Sequence, residues 1–137
     1  DRQIFIRQHP RHQTKINHII NMHKNIAESR PQFTQGDKVD FVDKLKTAYC
    51  VVNYNSNPAI EAVLNGVPVV VHESSLCREV GNGLLCNINN LKMPDRTRWL
   101  NKLSYCEWFV DEIAQGTPWQ RLKQTLQNTL SNQWSGI

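Results

Sequence analysis

This chain of 137 residues carries no glycine-rich nucleotide fingerprint. Its six glycines form neither G-x-G-x-x-G nor the Walker lysine motif, so NAD binding and P-loop ATP hydrolysis are poor assignments. Cysteine is sparse and unpatterned. Cys77, Cys86 and Cys106 share no C-x-x-C spacing, and Cys50 lies in a strand-like run expected to be buried. They read as reduced thiols rather than as a disulfide scaffold. His9, His12, His18 and His23 make no persuasive ligand set, so no metal is expected. Long apolar runs are also missing, each falling far below the roughly 20 residues a membrane span needs. No basic stretch followed by an apolar one marks a leader at the N-terminus. These features together read as cytoplasmic. Internal repeats, heptads and low-complexity linkers are absent too.

What is present begins with charge. The formal net charge is +4, and the sequence pI is about 9.0. Basic residues gather early: Arg2, Arg7, Arg11, Lys15, Lys24 and Arg30. Such a balance suits either a solvated basic surface or a partner carrying phosphate. The length suits one domain with a real core. Asp1-Arg2-Gln3 runs straight into a strand-like segment with no initiator methionine. The expectation is a piece of a longer protein.

The most informative stretch is Tyr49 to His72, YCVVNYNSNPAIEAVLNGVPVVVH. It reads as strand, turn, helix, turn, strand. Tyr49–Asn53 favours a strand. Asn55-Ser56-Asn57 is a turn cluster suited to capping a helix. Pro58 falls at the first turn, where no intrahelical donor is needed. Ala59, Ile60, Ala62, Val63 and Leu64 then make a short apolar helix, which Gly66 is placed to end in a left-handed conformation. Val67–Val71 is continuously apolar, as a parallel strand covered on both faces would be. This is a βαβ unit, and the expected fold class is α/β: a three-layer, Rossmann-like parallel sheet with a helical C-terminal third.

The other segments extend that frame. Ile4-Phe5-Ile6 predicts a buried strand delivering Arg7 and His9 to the carboxyl edge. Lys15–Ser29 reads as a helix, or a helix with a loop. Pro31–Lys38 reads as a loop or a short strand around Gln32-Phe33. A crossover helix is expected over Val39–Thr47, with Asp37 as its cap. Gly81-Asn82-Gly83 reads as a flexible turn, Glu79 as a solvated loop carboxylate, and Leu84–Cys86 as a short strand or packed loop. Asp95 is placed to cap a helix over Arg96–Phe109, whose stripe of Trp99, Leu100, Leu103, Cys106 and Phe109 reads as core. A short helix over Val110–Ala114 follows and breaks at Gly116. The last helix, capped by Thr117, is anchored by Trp119, Leu122, Leu126 and Leu130, and the tail from Ser131 is expected to fray. The whole of 1–137 is expected to form a single Rossmann-like nucleotide-sugar-binding domain with a helical part over 96–131. That part would wrap over the sheet or pack on a missing N-terminal half.

Polar residues concentrate at the ends of the predicted strands. Arg7 and His9 follow the first. Asn53, Asn55, Ser56 and Asn57 follow the central one. His72, Glu73, Ser74 and Ser75 follow the third. Ligands of open α/β sheets bind at this edge. Arg suits phosphate through its fixed fork of donors, and Ser56-Asn57 precedes a helix N-terminus able to hold an oxyanion. Glu61, one turn into an apolar helix, either complements the helix dipole or accepts hydrogen bonds from paired ribose hydroxyls.

These residues carry a resemblance. SNPAIEAVLNGVPVVV, Ser56 to Val71, resembles the donor-binding half of GT-B glycosyltransferases and of the related sugar-nucleotide epimerases. There a serine-containing turn opens a helix bearing a glutamate, and a Gly-x-Pro step leads into the next strand. The His9-Pro10 pair resembles the His-Pro motif of capsule-type and CMP-sugar-dependent transferases. The later stretch RWLNKLSYCEWFVDEIAQGTPW resembles phage-encoded or capsule-related transferase-like proteins. The resemblance implies that Glu61 holds the ribose of a nucleotide sugar. It implies that Ser56, Asn57 and the following amides hold its phosphates, and Asn55, His72, Ser74 and Ser75 are further donor-binding candidates by their place at the same edge. His9 and Arg7 would act on the leaving group, with Arg11 assisting. The reaction implied is glycosyl transfer to a glycan or other hydroxyl acceptor, with no cofactor beyond the nucleotide-sugar substrate. The chain is too short for both halves of such an enzyme. A missing N-terminal domain would therefore supply acceptor binding and the base, and this half would not turn over alone. Two alternatives stay open. One is a fragment of a sugar-nucleotide epimerase or hydrolase. The other is a non-catalytic α/β module that binds nucleic acid, although its Arg and Lys residues are not interleaved with aromatics.

Overall fold

The computed structural model describes residues 2–9, 14–29 and 35–134, and the side chains of 35–39 and 129–134 lie outside that description. The chain divides into two compact units, Asp1–Pro94 and Asp95–Ile137. The first is an α/β unit with parallel strands in a Rossmann-like arrangement. The second is helical.

In the first unit the order is β1 (Ile4–Arg7), α1 (Asn17–Met22), β2 (Ile26–Ser29), α2 (Gln35–Leu45), β3 (Val51–Asn53), α3 (Pro58–Leu64), β4 (Val69–Val71) and β5 (Asn82–Gly83). Among the described residues the strands form two hydrogen-bonded groups, β1-β2 and β3-β4-β5, with β1 parallel to β2, β3 to β4 and β4 to β5. Val51 lies opposite Val69 and Asn53 opposite Val71, so β3 and β4 end level with each other. That register sets the carboxyl-terminal edge of the central pair.

The core gathers around β4. Val69, Val70 and Val71 are all buried. Helix α3 packs on β3 and β4. It buries Ala59, Ala62 and Val63, which share one face by their spacing. Two of these are alanines, whose size lets the helix approach the sheet closely. Pro58 occupies the first turn, and Gly66 leaves the helix at φ 83°, as the sequence predicts. Leu45, Val67, Cys77 and Val80 complete this core.

Several sequence expectations are corrected. Lys15–Ser29 is not one helix: α1 stops at Met22, and Ile26–Ser29 is a strand running parallel to β1. The Ile spacing suits a helix locally, but pairing with Ile4–Arg7 satisfies the backbone of Ile26–Ser29 instead. The Ile4–Ile6 strand forms but is not deeply buried, with Ile4 and Phe5 about half exposed. Among the described residues its sheet is the β1-β2 pair, and α1 is six residues long with nothing buried, too short to cover a sheet face. Helix α2 begins at Gln35, so Asp37 lies inside it rather than capping it. The segment Gln32-Phe33 lies outside the described residues. Asn82–Gly83 is a strand, whereas Leu84–Cys86 is turn. Cys50 is half-buried just before β3 rather than within it.

Cys77 is fully buried, and burial raises its thiol pKa against a smaller lowering by the Ser75 hydrogen bond. Cys106 is exposed. A disulfide reagent is expected to label Cys106 at once and Cys77 only as fast as its unit opens. Mass spectrometry of timed aliquots checks this, and early labelling of Cys77 would contradict the packing. The sign of the linkage follows: a raised thiol pKa favours the folded state below the unfolded value of about 9, and this preference is lost as pH rises through the folded value.

The second unit comprises α4 (Thr97–Ser104), α5 (Val110–Ala114) and α6 (Thr117–Trp134). Asp95 receives the Thr97 hydroxyl at 2.9 Å and the Thr97 N–H at 3.2 Å. These bonds hold its carboxyl below the ordinary value, the hydroxyl contributing most. The N-cap position of α4 is Arg96, without a side-chain capping bond, so Asp95 braces Thr97 from one residue before the cap rather than capping the helix. The helix itself ends at Ser104 rather than Phe109. Glu112 accepts the Phe109 N–H at 2.9 Å, which favours a new helical start there. Trp99 is buried, but Phe109 is 81% exposed, so the stripe is core only at its beginning. Thr117 is the first residue of α6 rather than its cap, and the helix continues through Ser131 to Trp134. Trp119, Leu122 and Leu126 are each more than half exposed, so helical spacing alone did not make them anchors. Among the described residues, no helix is long and apolar enough to cross a membrane.

Candidate functional site

The carboxyl ends of β3 and β4 carry a hydrogen-bonded polar cluster. Asn53 is the last residue of β3. Its amide group donates to Ser56 Oγ at 2.8 Å, and its carbonyl oxygen accepts the Ser56 N–H at 2.8 Å. One side chain therefore closes the turn that leads into α3. On the neighbouring strand end, the Asn55 amide donates to Ser74 Oγ at 3.2 Å. Ser74 Oγ lies 2.9 Å from His72 Nδ1, and the Ser74 N–H points to the same nitrogen at 3.3 Å. A backbone N–H can only donate, so Nδ1 is the acceptor. The neutral ring then carries its proton on Nε2.

Two donors follow from this arrangement. Ser56 Oγ accepts from Asn53, so its own proton is available to a ligand. His72 keeps the Nε2 proton. Both are hydrogen-bond donors at the edge where ligands of parallel sheets sit.

The remaining turn residues behave differently from expectation. Asn57 sits at the N-cap in a helical backbone conformation and makes no side-chain capping bond. Pro58 has no N–H. The Ala59 and Ile60 amides donate to the Ser56 and Asn57 carbonyls at 3.1 and 2.9 Å. The helix amides expected to cradle phosphate are thus engaged within the turn, because the chain enters α3 through tight local bonds. Ser75 is buried and its Oγ accepts the Cys77 N–H at 3.2 Å, so it supports the loop from inside. Glu61 is half-buried in the first turn of α3.

Arg7 ends β1. It donates to Asp40 at 3.2 Å and to Ser29 at 3.4 Å, and its guanidinium lies 5.3 Å from the Phe41 ring centroid. Asp40 also accepts from Lys44 at 2.9 Å. That bond is the largest cause holding the Asp40 carboxyl below its ordinary value, with Arg7 adding to it against some desolvation. At neutral pH Arg7 is an ion-paired residue tying β1 to α2. His9 lies exposed just beyond β1. Pro10 and Arg11 lie outside the described residues, so the His-Pro pair is described only at His9. No group of three or more metal-ligating side chains occurs among the described residues.

One feature of the edge was not singled out from the sequence. Tyr54 follows β3 directly and stacks on His72, with ring centroids 4.3 Å apart and planes 18° from parallel. The available signal was its position: an aromatic among asparagines at a strand's carboxyl end. Its partner is 18 residues away across the βαβ crossover, which spacing along the chain does not reveal.

The protein was also compared with known proteins. No protein-family model matches the chain, and neither the curated proteins nor the solved structures contain a match.

Proposed function

We propose that the Asp1–Pro94 unit binds a nucleotide sugar, as the donor half of a glycosyltransferase. The observation that carries this reading is that the Ser56 hydroxyl and the His72 ring, each held through its other polar atom or lone pair by a neighbour, lie beyond the level ends of parallel β3 and β4. Ser56 and His72 would contact phosphate oxygens. Glu61 would accept hydrogen bonds from the ribose hydroxyls. His9, and Arg7 if its pair with Asp40 opens, would face the charge that grows on the leaving phosphate. Acceptor binding and the base that activates the acceptor hydroxyl would come from a further domain.

The test is calorimetric titration of the full chain with a panel of nucleoside diphosphates and their sugar conjugates. At least one nucleotide is expected to bind. Ser56→Ala should weaken it by about 1.5–3 kcal/mol, the scale of a hydrogen bond to a charged group. Absence of binding across the panel would remove the proposal. Tight, salt-dependent binding of a generic oligonucleotide instead would favour a nucleic-acid module.

A further inference from the structure

We propose that Tyr54 and His72 form a preassembled stacking platform for a nucleobase. This rests on the nucleotide reading above and assigns the group that recognises the base.

Tyr54 is 64% exposed, yet its ring is not loose. His72 covers one face at stacking distance. The His72 ring is in turn oriented by Ser74, and Ser74 by Asn55. The backbone joins the same two residues, since the His72 N–H donates to the Tyr54 carbonyl at 3.1 Å. An exposed tyrosine stacked on a histidine that is itself anchored by hydrogen bonds differs from a side chain that simply faces water. Its ordering has already occurred before any ligand arrives, so that entropy cost does not fall on binding. A planar, polarizable face with one side covered suits another planar ring. The hydrogen-bond donors of the same edge suit phosphate, and Tyr54 is two residues from Ser56. A ligand joining a flat ring to a phosphate is a nucleotide.

Stacking accepts every base, so the platform contributes affinity more than base identity. The full chain is titrated with nucleoside monophosphates and with ribose phosphate, which keeps the phosphate and sugar but has no base. Nucleoside monophosphates are expected to bind about tenfold or more tighter than ribose phosphate. Tyr54→Ala should abolish that advantage and leave ribose phosphate affinity unchanged. Tyr54→Phe, which keeps the flat face, should retain it. Circular dichroism of each variant confirms the fold. If nucleotides bind and Tyr54→Ala leaves the base advantage intact, the platform is overturned while the nucleotide reading stands. If neither nucleotides nor ribose phosphate bind, both fall.

Discussion

Replacing Gly81 by alanine is expected to destabilise the α/β unit by about 2–3 kcal/mol, the upper range of core overpacking. A Cβ at this position would lie 2.9 Å from the Cys77 carbonyl oxygen, 2.9 Å from Val71 Cγ2 and 3.1 Å from Val69 Cγ2. None of these neighbours yields easily. The first is backbone. The other two are methyl groups of buried valines, whose χ1 is stiff. The loop after β4 therefore presses against the sheet at the one position where it has no side chain. The midpoint of thermal unfolding should fall on the order of 10 °C. Gly83→Ala is the control, because a Cβ there meets nothing within 4 Å. It should change stability by less than about 0.5 kcal/mol. Equal losses at both positions would mean that close approach is not the reason for Gly81.

Asn82 is expected to be nearly as sensitive, for a polar reason. It is buried at 7% exposure and lies beside Val70 in the parallel ladder. Its amide donates to the carbonyls of Val69 and Lys92, both at 3.1 Å, and its side-chain oxygen accepts the Lys92 N–H at 2.8 Å. One side chain thus ties β4 to the segment that follows β5. Asn82→Leu removes the partner of three backbone groups and should cost about 3 kcal/mol. Asn82→Asp separates donor from acceptor. It keeps the bond to the Lys92 N–H but turns the amide into a charged oxygen facing two carbonyls, so it should be at least as damaging as leucine at pH 7. Urea unfolding checks both, with a lower midpoint and an unchanged slope expected. An aspartate variant as stable as the parent would show that the two donated bonds contribute little.

These two residues mark where sequence reading stops. Gly81-Asn82-Gly83 looks like a flexible turn in isolation, since glycine and asparagine favour turns. It becomes a strand because β4 offers a parallel partner and because Asn82 finds three backbone groups to satisfy. The same holds for Ile26–Ser29, whose strand state depends on β1, 22 residues earlier in register. The long C-terminal stripe errs in the opposite direction. Its periodicity correctly marks helix, but burial requires a facing layer, and Trp119, Leu122 and Leu126 stay largely exposed.

The candidate site divides the same way. Residue order alone places polar residues after β3 and β4, since strand ends and turns are local. It also determined the α3 helix, its proline start and its left-handed glycine exit, because each rests on the conformational preference of one residue. The folded arrangement sets which polar groups meet. It drew Arg7 into an ion pair with Asp40, engaged the first α3 amides within the turn, and turned Ser75 inward. It also set Tyr54 against His72 and joined Asn55 to Ser74 across the crossover. Hydrogen bonds and ring contacts act over a few ångströms in space. Parallel pairing of β3 with β4 is what brings those residues within reach.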